Sequence, residues 1–349
     1  MIVISSTGMK LAVISTTIHG EKGYLPYDRL AKKSKFSEVG FFIAGDTKSP
    51  AFDSSAFQCH VEYMTPEMQK KYASSEVIGW SKSARRNIAL LRAIETKPDF
   101  ILTIDDDNIP SEDYFDSWYK VITTSAKKIV VSTKQADREH WHNYLDTTDA
   151  EIEMYPRGYP LPFRFENSTK VKKAPKPIHP REIGVFQGVS LGDPDIDAKT
   201  RIVYPKPTPL STIREKNYVL RDIWSPYNTQ NTMFSKELFP LAFVWPLAGR
   251  PEDIYASFVW QKFLFNNGMY ARVGDPVKRQ VRGKRDDLRD LRLEIENYLH
   301  GHVVWAEINK IKEKKALVFI EKLMKVEHGI FARERPFLKA FLKDLKRIS

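Results

Sequence analysis

Three consecutive aspartates, Asp105, Asp106 and Asp107, follow the apolar run FILTI at residues 100–104. Like charges this close repel, and each would gain by protonating unless a cation neutralises them. In an extended segment residues two apart point to the same side. Asp105 and Asp107 are therefore expected to share one divalent ion. Mg2+ and Mn2+ prefer oxygen ligands and keep positions open for phosphate oxygens. A metal held there would stabilise negative charge developing on a departing diphosphate.

Other residues could join such chemistry. Glu252 and Asp253 precede an aromatic-rich helical stretch, IYASFVWQKFLF. A carboxylate there suits proton abstraction from a hydroxyl, or simply the positive end of a helix dipole. Arg157 is followed by Gly158, which permits close backbone approach, and its fork suits phosphate. Asp193, Asp195 and Asp197 alternate like a second metal site but read better as turn residues with a structural contact. His140 and His142 flank Trp141 and make a weak metal pair. Trp224, Tyr227 and Trp245 could stack on a ring, although burial is the commoner fate of aromatics.

The elements that must position these residues follow from periodicity. Residues 11–18 (LAVISTTI), 39–44 (VGFFIA), 100–104 and 128–132 (KIVVS) are apolar and β-branched, as buried strands are. Residues 82–95 space Ile88, Leu91 and Ile94 for one helix face, and Pro98 ends the pattern. A helix is expected from about Ser111, with Glu112 and Asp113 in its first turn. Alternating strands and helices imply a mostly parallel sheet covered on both faces, with ligands beyond the carboxyl ends of its strands. Thr16, His19, Asp46 and the acidic triplet all fall at such ends. Residues 155–181, rich in proline and lysine, are expected to form a long irregular connection. From about Asp286 the pattern is helical, with Phe337, Phe341, Leu345 and Ile348 on one stripe beside Leu338 and Leu342.

The chain has 349 residues and one cysteine, which excludes an intramolecular disulfide framework. No run approaches the length of a membrane span, and the start of the chain reads as a strand rather than a signal peptide. A cytoplasmic protein without an integral membrane segment is expected. Net charge is +11; residues 278–349 hold 19 basic against 11 acidic side chains, leaving +3 for the rest. Such a tail can meet phosphates, an anionic surface or nucleic acid, or be a solvated helical face.

Several segments, in order, resemble glycosyltransferases with the GT-A fold. They are FILTIDDDNIPSEDYF, RGYPLPFR (157–164), GVSLGDPDIDAKTRI (188–202), SPYNTQNTMFSKELFPLAF (225–243) and GRPEDIYASFVWQKF (249–263). Within that group they are similar to the reversibly glycosylated polypeptides, which are UDP-arabinopyranose mutases, and to the STELLO-type glycosyltransferases. RGYP resembles the former; GDPDIDA and RGKRDDLRDLRLEIENYLHG (282–301) resemble the latter.

The resemblance implies an α/β, GT-A-like (Rossmann-like) catalytic domain over residues 1–280, with a basic helical extension over 281–349. It implies that Asp105 and Asp107 hold Mn2+ or Mg2+, and that Asp105 and Asp106 meet the nucleotide-sugar. Thr16, His19, Asp46, Arg85 and Arg86 are expected along the nucleotide, with Asn87 in the same helix start. Arg157 would contact the diphosphate, and Asp253 with Glu252 would stand opposite the donor as catalytic groups. The family's late histidine ligand is missing from residues 275–284, so Lys278, Arg279 and Arg282 are expected to meet the diphosphate instead.

The expected activity is transfer of a sugar, UDP-linked by family resemblance, to an acceptor that is a glycan, a protein or modified DNA. The alternatives are a UDP-sugar mutase, or a nucleic-acid-binding protein using the basic tail. Self-association through the C-terminal helices is a further expectation.

Overall fold

The computed structural model describes residues 8–133, 140–164, 169–204, 209–280 and 286–348. The chain begins with β1 (Lys10–Thr17), α1 (Leu25–Lys32), β2 (Glu38–Gly45) and β3 (His60–Met64). Then come α2 (Pro66–Gln69), α3 (Ala73–Ile78), α4 (Arg86–Glu95), β4 (Phe100–Ile104), β5 (Asn108–Pro110), α5 (Tyr114–Thr123) and β6 (Ala126–Ser132). The middle supplies β7 (Thr169–Ile178), β8 (Ile183–Gly192), α6 (Ala198–Val203), β9 (Tyr218–Leu220) and β10 (Asn231–Ser235). The last third holds α7 (Glu252–Asn267), β11 (Tyr270–Gln280), α8 (Asp287–Asn309), α9 (Ala316–Leu323) and α10 (Gly329–Ile348).

The strands form one sheet in the order β3-β2-β1-β4-β10-β8-β11-β9-β6-β7, with β5 paired to β11. The first four pair in parallel. Beyond them the sheet is mixed, because β10 enters antiparallel between β4 and β8. The expected α/β sheet with helices on both faces is present, and its parallel pairing is concentrated in the N-terminal half.

Alternation along each strand divides the core. Ala12 and Ile14 face a cluster built with α4, α7 and the C-terminal helices. Leu11 and Val13 face α1 and α5. A strand buried on both faces must be apolar at every position, which is why LAVI and FILTI carry no alternation of polarity. Gly268 closes α7 in the left-handed region (φ 66°), a conformation that costs glycine nothing.

One sequence expectation changes here. Residues 169–178 form strand β7 instead of irregular chain. Its Pro175 and Pro177 are tolerated because β7 is the last strand, bonded on one side only. The C-terminal helices pack on the sheet part of the chain. Val304, Trp305 and Ile308 of α8, Phe319 of α9 and Phe337 and Phe341 of α10 share one core with Trp141, Trp224 and Trp260. The stripe read from α10 is this buried face, while Arg333, Arg335, Lys339, Lys343, Lys346 and Arg347 face solvent. Among the described residues no helix is long and apolar enough to cross a membrane.

Candidate active site

The carboxyl ends of β1, β2 and β4 reach one edge of the sheet. β10 runs the other way, so its first residue, Asn231, lies opposite Ile104, and Thr229 and Gln230 arrive beside Asp105. The triplet itself is not extended. Asp106 and Asp107 form a turn between β4 and β5, so the same-side geometry expected for Asp105 and Asp107 does not apply. A strand that ends directly before the triplet releases its backbone from the ladder, and alternation is lost with it.

Each aspartate has its own setting. Asp105 accepts a hydrogen bond from Arg86 at 2.7 Å. Arg86 is buried, and its remaining donors reach Thr103, Thr229 and the Ser83 carbonyl. Burial opposes its charge, but Asp105, with Glu252 and Asp253 behind it, outweighs burial and raises its pKa. Asp106 accepts from the Thr17 hydroxyl at 2.5 Å. Burial pushes its pKa up, the Thr17 bond opposes this, and the neighbouring Asp105 adds to it. Asp107 is exposed. Gly23 packs so tightly on the turn that a Cβ there would overlap the Asp106 carbonyl oxygen.

Among the described residues no three Asp, Glu, His or Cys side chains converge as a metal cluster. The oxygen donors of the triplet fit a hard cation only if ligands from outside the protein complete its shell.

A cleft of about 590 Å³ opens beside Asp105. Ser83, Arg86 and Asp105 form one wall, and Arg157, Asp195, Glu252 and Asp253 another. Arg157 donates to Asp195 at 3.1 Å, to Asp253 at 2.9 Å and to the Arg250 carbonyl at 2.5 Å. Asn228 donates to Asp195 at 2.8 Å. Burial opposes the Arg157 charge, yet the two carboxylates carry its pKa well above the ordinary arginine value. Its fork is thus committed to carboxylates in this structure.

Glu252 begins α7 and accepts a short hydrogen bond from Ser83. Burial raises its pKa to about 7; the Ser83 bond opposes the rise and the charge of Asp253 adds to it. A carboxyl poised there can exchange a proton at neutral pH.

The structure thus brings together Arg86, Asp105, Arg157, Glu252 and Asp253 of the residues expected from sequence. Others fall elsewhere. Arg85 is fully buried, binds Gln69 and Ser75, and lies over the Trp80 ring, so it braces the α2–α3 segment. Burial lowers its pKa to about 10. Asn87 fixes both the N–H and the carbonyl of Val244. Asp46 is buried and accepts from the Ser81 and Lys48 N–H groups, which ties the β2 end to the cleft loop. Thr16 donates to the Ala44 carbonyl at 2.7 Å, and His19 is exposed beyond β1. Lys278 is fully buried on β11 and Arg279 is exposed beside it; neither lines the cleft. Arg282 lies outside the described residues.

The weaker motifs resolve structurally. Asp193, Asp195 and Asp197 each pair with a different arginine, Arg201, Arg157 and Arg164. His142 is buried between Thr169 and Tyr218, and burial lowers its pKa to about 3. Trp224, Tyr227 and Trp245 are core residues. Asp195, Ser83 and Arg250 line the cleft without having been singled out for it. Asp195 carried a signal, since it stands in the alternating acidic run, but its partner Arg157 is 38 residues away.

No protein-family model matches the chain, and no curated protein matches it in sequence. Solved structures are similar to it at low identity. S. aureus TarS, residues 1–349 in complex with UDP-GlcNAc, is 12% identical over 98% of this chain and 74% of that one, with a TM-score of 0.39. Glucosyl-3-phosphoglycerate synthase from Mycobacterium tuberculosis with phosphoglyceric acid is 11% identical over 89% and 82%, at 0.45. The same enzyme with Mn2+, UDP-glucose and phosphoglyceric acid is 12% identical over 85% and 80%, at 0.44. At these scores the likeness carries no argument about chemistry.

Proposed function

We propose that the chain is a divalent-metal-dependent glycosyltransferase that moves a sugar from a nucleoside-diphosphate sugar, UDP-linked, to an acceptor hydroxyl. The carrying observation is the single cleft in which Asp105, held by Arg86, shares the space with Glu252 and Asp253.

In this reading Asp105, at the end of β4, and Asp107, in the turn after it, would hold Mn2+ or Mg2+, with ligands from outside the protein completing its shell. The ion, when bound, neutralises charge on the departing diphosphate. Arg86 fixes the Asp105 carboxylate, so the donor end of the cleft is pre-organised. Glu252 takes the proton of the acceptor hydroxyl, and its pKa near 7 matches that task. Arg157 holds Asp253 in place across from the donor end.

The test is calorimetric titration of the intact protein with UDP in the presence and absence of Mn2+. Mn2+-dependent binding that Asp105→Ala abolishes supports the reading. A folded protein that binds no nucleoside diphosphate sinks it. Incubation with UDP-arabinopyranose alone then separates two activities of one cleft: isomerisation of the sugar ring would assign it to a mutase, and slow hydrolysis to a transferase.

A further inference from the structure

Large apolar side chains exposed to solvent are concentrated in one place. Leu288, Leu293, Ile295 and Leu299 of α8 are 72%, 48%, 45% and 57% exposed. Ile202, Val203 and Tyr204, at the end of α6, are exposed too. The start of α6 is fixed to α8, because Ala198 donates to Glu294 at 2.9 Å and Lys199 to Tyr298 at 3.2 Å.

At about 100° per residue, Leu288, Ile295 and Leu299 fall within roughly 40° of one another, a single stripe along the helix. The inward face of α8 is already complete, since Glu294, Asn297, Gly301, Val304, Trp305 and Ile308 are buried. The stripe therefore does nothing for the chain's own core. Exposed apolar surface of this kind marks an association site.

Charge decides the occupant. Within α8 the acidic residues are Asp287, Asp290, Glu294, Glu296 and Glu307, and the basic ones only Arg289 and Arg292. Asp290 and Glu294 pair with Arg250 and Glu307 with Lys310, so beside the stripe the helix presents Arg292 and Glu296, one of each sign, with no basic excess to hold an anionic lipid surface. The stripe is flanked instead by a self-complementary pair. Arg292 makes no ion pair among the described residues, and Glu296 has only the His300 ring nitrogen within reach, at 3.9 Å.

We propose that this face joins two copies of the chain, with their α8 helices antiparallel about a two-fold axis near residue 294. That axis sets Arg292 of each copy against Glu296 of the other, twice, and brings Leu288 of one towards Leu299 of the other. A parallel arrangement would set like charges side by side. Closed two-fold pairing uses the same patch on both subunits, as self-complementarity requires. Leu293 lines the cleft, but Leu288, Ile295 and Leu299 do not, so the inference stands whatever reaction the cleft performs.

Sedimentation velocity of the full chain at tens of micromolar tests it. The wild type is expected to sediment as a dimer. Ile295→Glu and Arg292→Glu should each give monomers with an unchanged far-UV circular dichroism spectrum. The double variant Arg292→Glu/Glu296→Arg, which restores the pairing with signs exchanged, should recover the dimer. A monomeric wild type overturns the proposal. So does a dimer that persists in Ile295→Glu, or one that the charge exchange fails to restore. Co-sedimentation of wild type, but not Ile295→Glu, with phosphatidylserine–phosphatidylcholine vesicles would assign the face to a membrane and overturn it equally.

Discussion

Arg157 Nη2 donates both to Asp253 at 2.9 Å and to Asp195 at 3.1 Å, with Nε also on Asp195 at 3.2 Å, so one guanidinium spans two buried carboxylates from distant parts of the chain. Removing the cation would leave both carboxylates buried without it. Arg157→Ala is expected to lose about 3–5 kcal/mol of stability, the usual cost of breaking a buried pair. Asp195→Asn, which leaves the Asp253 pair in place, should lose less. Urea unfolding of both variants measures the difference. Equal losses would show that Asp253 gains nothing from Arg157.

Activity should report Glu252. A base must be ionised, and burial has raised this group from its usual 4.5 to about 7. The rate should climb as pH rises through about 7 and level off above it. Glu252→Gln is expected to lower kcat by roughly 10²–10⁴-fold and to remove that limb. A pH–rate profile of both proteins checks this. A limb unchanged in the variant would move the proton transfer to another group.

Stability should report Glu334. This residue of α10 is buried, accepts from the Leu247 N–H at 2.6 Å, and has its pKa raised from 4.5 to about 8, chiefly by burial. The folded state therefore holds this proton more tightly than the unfolded state does. Its stabilising contribution is full below pH 4.5 and falls as pH rises towards 8. Glu334→Gln should flatten that fall and stabilise the protein above pH 8 by at most about 5 kcal/mol, at about 1.4 kcal/mol for each unit of the rise. Thermal melts across pH 5–9 give the comparison. A parallel downward slope in the variant would assign the fall to another group.

Gly23 offers a test of the acidic turn that touches no carboxylate. The Cβ of Gly23→Ala would overlap the Asp106 carbonyl oxygen, and backbone cannot yield cheaply. Mn2+-dependent UDP binding is expected to weaken at least tenfold while the core, and so the thermal midpoint, changes little. Calorimetry and a melt together decide. Undiminished binding would detach the turn from the donor site.

Much of this was legible in the chain, for local reasons. FILTI had to be a buried strand, and it placed Asp105 at the sheet edge. The α10 stripe had to be buried, and Phe337, Phe341 and Leu345 are. What sequence could not carry was pairing at long range. Arg85 and Arg86 are neighbours of one type, yet one braces Gln69 and Ser75 and the other grips Asp105. Only the different rotation of consecutive residues about a helix start separates them. Strand β7 was hidden by its prolines, because an edge position is a property of the assembled sheet and not of the segment.

The C-terminal helix carries one more consequence, for how the protein is made. Asp344 accepts hydrogen bonds from the Ala73 and Ser74 N–H groups, some 270 residues earlier, and Glu334 holds the Leu247 end of the cleft loop. While the chain is still on the ribosome these partners are absent, and the early helices wait with an apolar face uncovered. Ordering of the cleft loop is thus tied to the arrival of α10, and a chain shortened before Glu334 and Asp344 would leave its first half without this anchor.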